Sequence, residues 1–234
     1  MRLRDGTAEQ GQAAVESALT IPLMLLALLG MLQISMAYHA RILTEYAAFK
    51  AARAASVYRL DCGHITKAAL VALVPSIGNL GGGTSLRTRF LGTARKVLSS
   101  NRTRGGTPIV LVDYELTDRL DPGQFDKALD SGKPMKVHVK VAYFYEYRIP
   151  FVNWVITKYW LAIQTGMRWA QNDPTLLMLD ADQPRKTGAV EAQLVAYARR
   201  GIQAGYYTAP IVSTWSMRMM SDPLPGAADS ATCQ

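Results

Sequence analysis

The feature that most constrains this chain is a long apolar run near its N-terminus. Residues 17–38 are 22 consecutive positions without an Asp, Glu, Lys or Arg. As an α-helix this run would be about 33 Å long, enough to cross the roughly 30 Å hydrocarbon core of a bilayer. A secretory signal core is shorter, about 7–15 residues, and a small-residue cleavage site follows it. The run therefore predicts a retained membrane-spanning helix, and a buried core helix is the less favoured alternative.

The helix is predicted to continue beyond the membrane. After the apolar run, the segment "ARILTEYAAFKAARAASVY" is rich in alanine, the best helix former. We predict one helix over residues 12–58, broken or bent at Pro22, because proline removes a backbone donor and clashes with the preceding turn. Small side chains let helices approach closely. The element is either a simple anchor with a stalk or a helix that packs among copies of related helices.

Two residues precede or open the apolar run. Glu16 lies at its start, where a deeply buried carboxylate would need a partner. At the membrane boundary it could instead lie among headgroups and interact favourably with the helix dipole. Gly11 taken alone could be only a loop residue. Together they follow a fixed order: the charged segment "MRLRDGTAEQ", then Gly11, then Glu16 five residues later, then the apolar helix.

This order resembles the class III signal of type IV pilins and pseudopilins. The stretch "GQAAVESALTIPLMLLALLGMLQ" is similar to the opening of TadE-like pseudopilins of tight-adherence (Tad), or type IVc, pilus systems. Pro22 stands at its expected place, and Ser17 stands where an aromatic residue is usual. The segments "YAAFKAARAASVY" and "KVHVKVAYFYEYRIPFV" resemble later parts of the same family.

The resemblance implies processing and assembly roles for these N-terminal residues. A prepilin peptidase would cut between Gly11 and Gln12, which makes residues 1–11 a leader. Gln12 would become the first residue of the processed chain, a position at which major pilins commonly have Phe. Glu16 would become its fifth residue. In assembled pilins this glutamate pairs with the α-amino group of a neighbouring subunit, and opposite charges in a low-dielectric bundle are tolerated only as a pair. Glu16 and Pro22 are therefore the predicted assembly residues.

The resemblance also implies partners and a location. The partners are the prepilin peptidase, other pilins or pseudopilins, the pilus assembly platform and the bacterial inner membrane. The N-terminus would be cytoplasmic, residues 59–234 periplasmic, and the subunit could join an extracellular filament. A count of positive charges alone favours the reverse orientation, because four follow the apolar run and two precede it. Long following domains, however, are translocated largely regardless of charge.

Residues 59–234 are predicted to form one α+β domain with an antiparallel sheet packed on helices. Helices are predicted at 62–74, 86–101 and 188–205, strands at 108–116, 135–149, 159–170 and 210–220, and a turn or short helix at 122–134. In two of these helices the residues predicted to face the core are Ile65, Ala69, Ala72, Leu73, Val190, Leu194, Ala198 and Ile202. In the clearest strand, Val137, Val139 and Val141 alternate with His138, Lys140 and Ala142, which predicts one buried and one solvated face.

The charge is strongly positive and locally clustered. The formal net charge is +8, and residues 1–11 are neutral overall. Between residues 83 and 112 there are six basic residues and no acidic ones: Arg87, Arg89, Arg95, Lys96, Arg102 and Arg104. This basic segment is either a solvated face or a patch for anionic lipid headgroups or an acidic partner. Nucleic acid is disfavoured, because aromatic residues are not interleaved beyond Phe90 and no DNA-binding motif is present.

The two cysteines, Cys62 and Cys233, could form a disulfide in an oxidising periplasm, closing a loop of about 170 residues. The sequence leaves two unrelated thiols as the alternative.

No catalytic residue, metal site or cofactor is predicted, and the chain is not predicted to be an enzyme. The "DCGH" at 61–64 lacks a second cluster of metal ligands. The "GGG" at 81–83 lacks the Lys-Ser/Thr of a phosphate-binding loop. Two functions remain: a TadE-like pseudopilin processed after Gly11, or an uncleaved single-pass inner-membrane protein whose basic periplasmic domain binds a ligand or partner.

Overall fold

The computed structural model describes residues 6–78, 84–103, 105–117, 135–170, 189–224, 227 and 230–233; at 6–12, 163–170 and 189–192 it describes the backbone alone. Its helices are α1 (Gly6–Val57), α2 (Cys62–Leu73), α3 (Leu86–Ser100), α4 (Val152–Ala170) and α5 (Ala189–Gln203). Its strands are β1 (Val110–Thr117), β2 (Lys136–Glu146), β3 (Thr208–Arg218) and β4 (Ser230–Cys233). The fold is α+β: one long apolar helix followed by a domain with an antiparallel sheet and helices.

The first helix, α1, is 52 residues long and includes Pro22. It continues through the proline, so the helix is not broken there, and a bend at Pro22 stays a prediction. The helix begins at Gly6 rather than near Gln12. Within the described part of the chain, it is the one helix long and apolar enough to cross a membrane.

The C-terminal half of α1 packs inside the domain. Its alanines form a buried face that contacts α2, β2 and β3. The fully or almost fully buried members are Ala40, Ala47, Ala48, Ala51, Ala52 and Ala55. Small side chains allow the sheet and α2 to approach the helix closely. The alanines that suggested packing between copies are thus used within the chain itself.

The sheet has the order β3-β2-β1-β4, and all neighbouring strands are antiparallel. Val112 of β1 pairs with Val141 of β2 on one side and with Cys233 of β4 on the other. The segment predicted as the last strand is β3, but β4 follows it, and its four residues gave no recognisable pattern in the sequence.

The two faces of the sheet differ in what covers them. Val137, Val139 and Val141 are fully buried in the core formed with α1 and α2, as the alternation predicted. On the opposite face His138 is exposed, but Ala142 is buried with Phe144 beneath Leu194 of α5. The prediction that Ala142 lies on the solvated face is wrong, because α5 covers that end of β2.

The prediction of a strand at 159–170 is also wrong, since these residues belong to α4. Aromatic residues there favoured a strand. The buried or half-buried positions Val152, Ile156 and Trp160, however, recur every fourth residue, and this spacing gives one face of a helix.

The helices α2, α3 and α5 confirm the other helix predictions. In α2, the predicted core residues Ile65, Ala69, Ala72 and Leu73 are all buried. In α5, Leu194 and Ala198 are buried and Ile202 is half-buried. The side chain of Val190 and the segment 122–134 lie outside the described residues.

Candidate functional site

The predicted processing residues lie inside α1, near its N-terminus. The backbone is helical at Gly11 and Gln12. Glu16 is exposed, and its carboxylate makes no hydrogen bond or ion pair with the residues that the structure describes. Its main-chain carbonyl accepts a hydrogen bond from Thr20 Oγ1 at 2.9 Å, and Ala13 O accepts one from Ser17 Oγ at 2.8 Å. These hydroxyls are satisfied within the helix, whereas the Glu16 carboxylate is available to a partner.

Residues 13–32 form an apolar surface that nothing within the described chain covers; we call it the exposed half of α1. Its large side chains are between 38% and 71% exposed. They are Val15, Leu19, Ile21, Leu23, Met24, Leu25, Leu26, Leu28, Leu29, Met31 and Leu32. Soluble monomers rarely expose contiguous apolar patches larger than a few hundred Å². Lipid or apolar protein must therefore cover this half of the helix.

Gln33 ends the exposed half of α1. Its side chain is fully buried, and Oε1 accepts a hydrogen bond from the main-chain N–H of Ile149 at 2.9 Å. From this point onward the domain covers one side of the helix, while Ile34 and Tyr38 on the other side stay exposed. Sequence reasoning counted Gln33 within the uncharged run and missed this role. The available signal was one amide side chain in an otherwise apolar stretch.

A protein-family model described as TadE-like protein matches residues 11–53. The N-terminal segment of this chain is TadE-like. The match confirms the resemblance of this segment to TadE-like proteins that Gly11, Glu16 and Pro22 indicated. The TadE-like segment contains the exposed half of α1 and most of the alanine-rich part, whereas the sheet and the other helices lie outside it. No curated protein and no solved structure matches the chain.

The basic segment lies mostly on α3, which turns Thr93 and Val97 toward the domain. The exposed members are Arg87, Arg89, Arg95, Lys96 and Arg102, and Arg104 lies outside the described residues. Since seven residues make about two helical turns, Arg89 and Lys96 share one side of α3, and Arg87 lies on the other. The cations therefore surround the solvent side of the helix instead of forming one stripe. Binding of an anionic partner here stays a prediction.

A cavity of about 470 Å³ lies between α2, the C-terminal end of α3 and α5. Lys67, Arg102 and Arg200 line it, and its described lining includes no acidic side chain. The buried hydroxyl of Thr66, also in the lining, has no hydrogen-bond partner among the described residues. Three cations without a lining carboxylate favour an anion over a cation. Sequence reasoning found only Arg102, because the other two cations come from distant segments.

The "DCGH" segment caps a helix. Asp61 is the N-cap of α2: its Oδ1 accepts a hydrogen bond from Gly63 N at 2.7 Å, and its Oδ2 lies 3.1 Å from His64 Nδ1. These contacts, His64 first, lower the pKa of the Asp61 carboxyl. The His64 ring stacks on Tyr58 with 4.4 Å between centroids. Across the described ranges, no three His, Cys, Asp or Glu residues form a group that could hold a metal ion.

Cys62 and Cys233 are joined by a disulfide with 5.2 Å between their Cα atoms. The bond connects the first residue of α2 to the last residue of β4. It fixes the short edge strand beside β1 and ties the chain end to the segment that follows α1.

Proposed function

We propose that this protein is a TadE-like pseudopilin, or minor pilin, of a Tad-type pilus or a related secretion filament. The observation that carries the proposal is the coincidence of the TadE-like segment with a helix whose first half exposes an apolar surface. The helix would hold the subunit in the inner membrane before assembly. It would then place the subunit in the filament, or at its base or tip.

Processing is proposed to occur after Gly11, by a prepilin peptidase on the cytoplasmic side. The family match begins at Gly11, which supports this position. The mature chain would then have two parts: the transmembrane and stalk helix, residues 12–58, and the periplasmic domain, residues 59–234.

Assembly is proposed to use the exposed half of α1 and not its whole length. The alanine face after Gln33 is buried by the subunit's own sheet and α2, so it is closed to other copies. The open apolar surface lies at residues 13–32, and Glu16 lies within it. In a neighbouring subunit the new α-amino group of Gln12 would be the matching charge, and pairing would fix the axial register of the two helices.

In this role the protein is structural and needs no cofactor. Its partners would be the prepilin peptidase, other pilins or pseudopilins, and the assembly platform. The positively charged domain would face the periplasm and remain outside the helical bundle.

N-terminal sequencing of the membrane-extracted protein tests the proposed processing. The full chain is co-expressed with a cognate prepilin peptidase or with an inactive peptidase. We expect a start at Gln12 with the active enzyme and at Met1 with the inactive one. Gly11→Val should retain Met1 in both, whereas Ser17→Ala, at a neighbouring exposed position, should start at Gln12. A Met1 start for the unsubstituted chain with active peptidase would contradict processing.

Glu16→Gln separates assembly from processing. It removes the charge proposed to pair with a neighbouring subunit and leaves the Gly11–Gln12 bond unchanged. We expect the variant, once processed to Gln12, to co-purify with other pilus components at least about tenfold less than wild type, the effect of losing one buried charge pair. Normal co-purification of the processed variant would rule out the charge pairing.

The alternative is an uncleaved single-pass inner-membrane protein whose basic domain binds a ligand or partner. The cationic cavity lined by Lys67, Arg102 and Arg200 is the observation that favours it. In that case Gly11→Val and Glu16→Gln would both leave membrane insertion and partner binding unchanged.

A further inference from the structure

Helix α4 has an apolar outer face. Val152 and Thr157 are buried against the domain. The outward side carries Trp154 and Val155, which are 52% and 43% exposed, and Tyr159, which is 68% exposed, lies at the edge of this side. Burial on one side of an amphipathic helix normally leaves a polar side facing water. Here both sides are largely apolar, and the outer one has no cover among the described residues.

This outer face is adjacent to the exposed half of α1. A cavity of about 480 Å³ is lined by Leu26 of α1 together with Pro150, Phe151 and Trp154 at the start of α4. Phe151 is 78% exposed. The apolar surface of α1 and that of α4 are therefore continuous across this cavity.

The position along α1 sets the depth at which α4 would meet a bilayer. Leu26 precedes Gln33 by seven residues, about 10 Å along the helix. Residues 13–32 span about 30 Å, the thickness of a bilayer core. If they cross the membrane, Leu26 lies within the layer on the domain's side. An interfacial amphipathic helix buries its apolar face about 5–10 Å into the boundary between headgroups and acyl chains.

The composition of the outer face suits that boundary. Trp and Tyr are enriched at membrane–water interfaces, because their rings are apolar and carry one polar group. Lys158, exposed between Trp154 and Tyr159, has a flexible stem that reaches the headgroups while its ammonium group stays hydrated. Among the side chains described on this face, Lys158 is the charged one, and its sign matches anionic lipid.

We propose that α4 is a second membrane contact, lying in the interface on the domain's side of the bilayer. Phe151, Trp154, Val155 and Tyr159 insert beside α1, and the lipid covers the face that the domain leaves open. The contact fixes how the domain is tilted and rotated relative to the membrane. The inference requires α1 to span a bilayer, and it does not depend on cleavage after Gly11.

Single cysteines test which solvent the outer face meets. The native cysteines form a disulfide, so an introduced thiol can be labelled selectively. Trp154→Cys and Tyr159→Cys are compared with Leu86→Cys, whose parent side chain is 87% exposed on α3. Each full-length variant is placed as one copy per lipid nanodisc containing anionic lipid. We expect the first two thiols to react at least about tenfold more slowly than Leu86→Cys with a membrane-impermeant maleimide.

Two results would overturn the proposal. Equal labelling rates at Trp154→Cys and Leu86→Cys in single-copy nanodiscs would show that the face meets water. Protection that arises only in discs loaded with several copies would show that a neighbouring subunit, not lipid, covers it. N-terminal sequencing of the same samples reports on processing separately.

Brominated lipids give a second test with milder substitutions. Bromine quenches tryptophan fluorescence only near the acyl chains. With Trp160 and Trp169 replaced by Phe in every sample, we expect Trp154→Phe to lose a large part of the quenching seen in the parent protein. Trp215→Phe is the matched control, because Trp215 lies far from the bilayer. It packs on Phe49 with 5.5 Å between ring centroids. Phe49 lies sixteen residues beyond Gln33 along α1, which is about 24 Å from the membrane boundary. Unchanged quenching in Trp154→Phe would contradict an inserted α4.

Discussion

Gln33 shows how one polar residue in an apolar helix can set a boundary. Its hydrogen bond to Ile149 N joins α1 to the segment between β2 and α4. The exposed half of α1 precedes it, and the buried alanine face follows it. The domain supplies a donor for the Oε1 of this amide, which lowers the cost of placing a polar group in an apolar helix.

We predict that Gln33→Met lowers the free energy of unfolding of the domain by about 1 kcal/mol, because the N–H of Ile149 loses its acceptor while the volume is kept. Denaturant unfolding of the full chain in detergent measures this change, and hydrogen exchange of the Ile149 amide should become faster. Ser35→Met, at an exposed position on the same helix, should change neither quantity. Equal stability of Gln33→Met and wild type would show that the contact is unimportant.

At the scale of elements, α1 consists of two parts with different partners. The first exposes leucines and methionines, whereas the second presents alanines to the sheet and α2. Composition predicted a single long helix but could not show which molecule its alanine face would contact. For α4, residue type favoured a strand, yet the spacing of buried positions formed a helix, because burial periodicity overrides local propensity.

The alanine face should not tolerate a larger residue. Ala51 is fully buried, so Ala51→Leu would force the sheet and α1 apart and lower the free energy of unfolding by about 1–3 kcal/mol. Val57→Leu, which adds one carbon at an exposed position of α1, should have little effect. Thermal unfolding followed by circular dichroism compares the two. An Ala51→Leu variant as stable as wild type would mean that the alanine face is open to other copies after all.

At the scale of the whole molecule, a disulfide joins the first helix of the domain, α2, to its last strand, β4. The disulfide joins residues 171 positions apart, and β4 adds only four residues to the edge of the sheet. Because so short a strand has few contacts of its own, the disulfide is what keeps β4 paired with β1.

Replacing both cysteines, Cys62→Ser with Cys233→Ser, should lower the free energy of unfolding by about 2–4 kcal/mol, because the unfolded chain regains the entropy of a long open loop. Amide exchange in β4 should accelerate far more than in β2, which is held between two strands. The double variant should be insensitive to reductant, whereas reductant should bring the wild-type protein down to the same stability. A wild-type Tm that does not depend on reductant would show that the bond is absent in solution.

Much of the site was visible in local patterns. The Gly11, Glu16 and Pro22 spacing indicated the TadE-like segment. The alternation at Val137, Val139 and Val141 indicated a strand with one buried face. The cationic cavity was not visible, because Lys67, Arg102 and Arg200 come from three separate segments that only folding brings together.

The sequence by itself determined the helix long enough to cross a membrane, the TadE-like opening and the α+β class. Each of these depends on residues close together in the chain, where length, charge and periodicity act directly. Only the tertiary structure decided that the domain buries the alanine face of α1, that Gln33 ends the exposed half of α1, and that α4 lies beside Leu26. Those contacts join residues far apart in sequence, and their free energy depends on which surfaces the completed fold brings together.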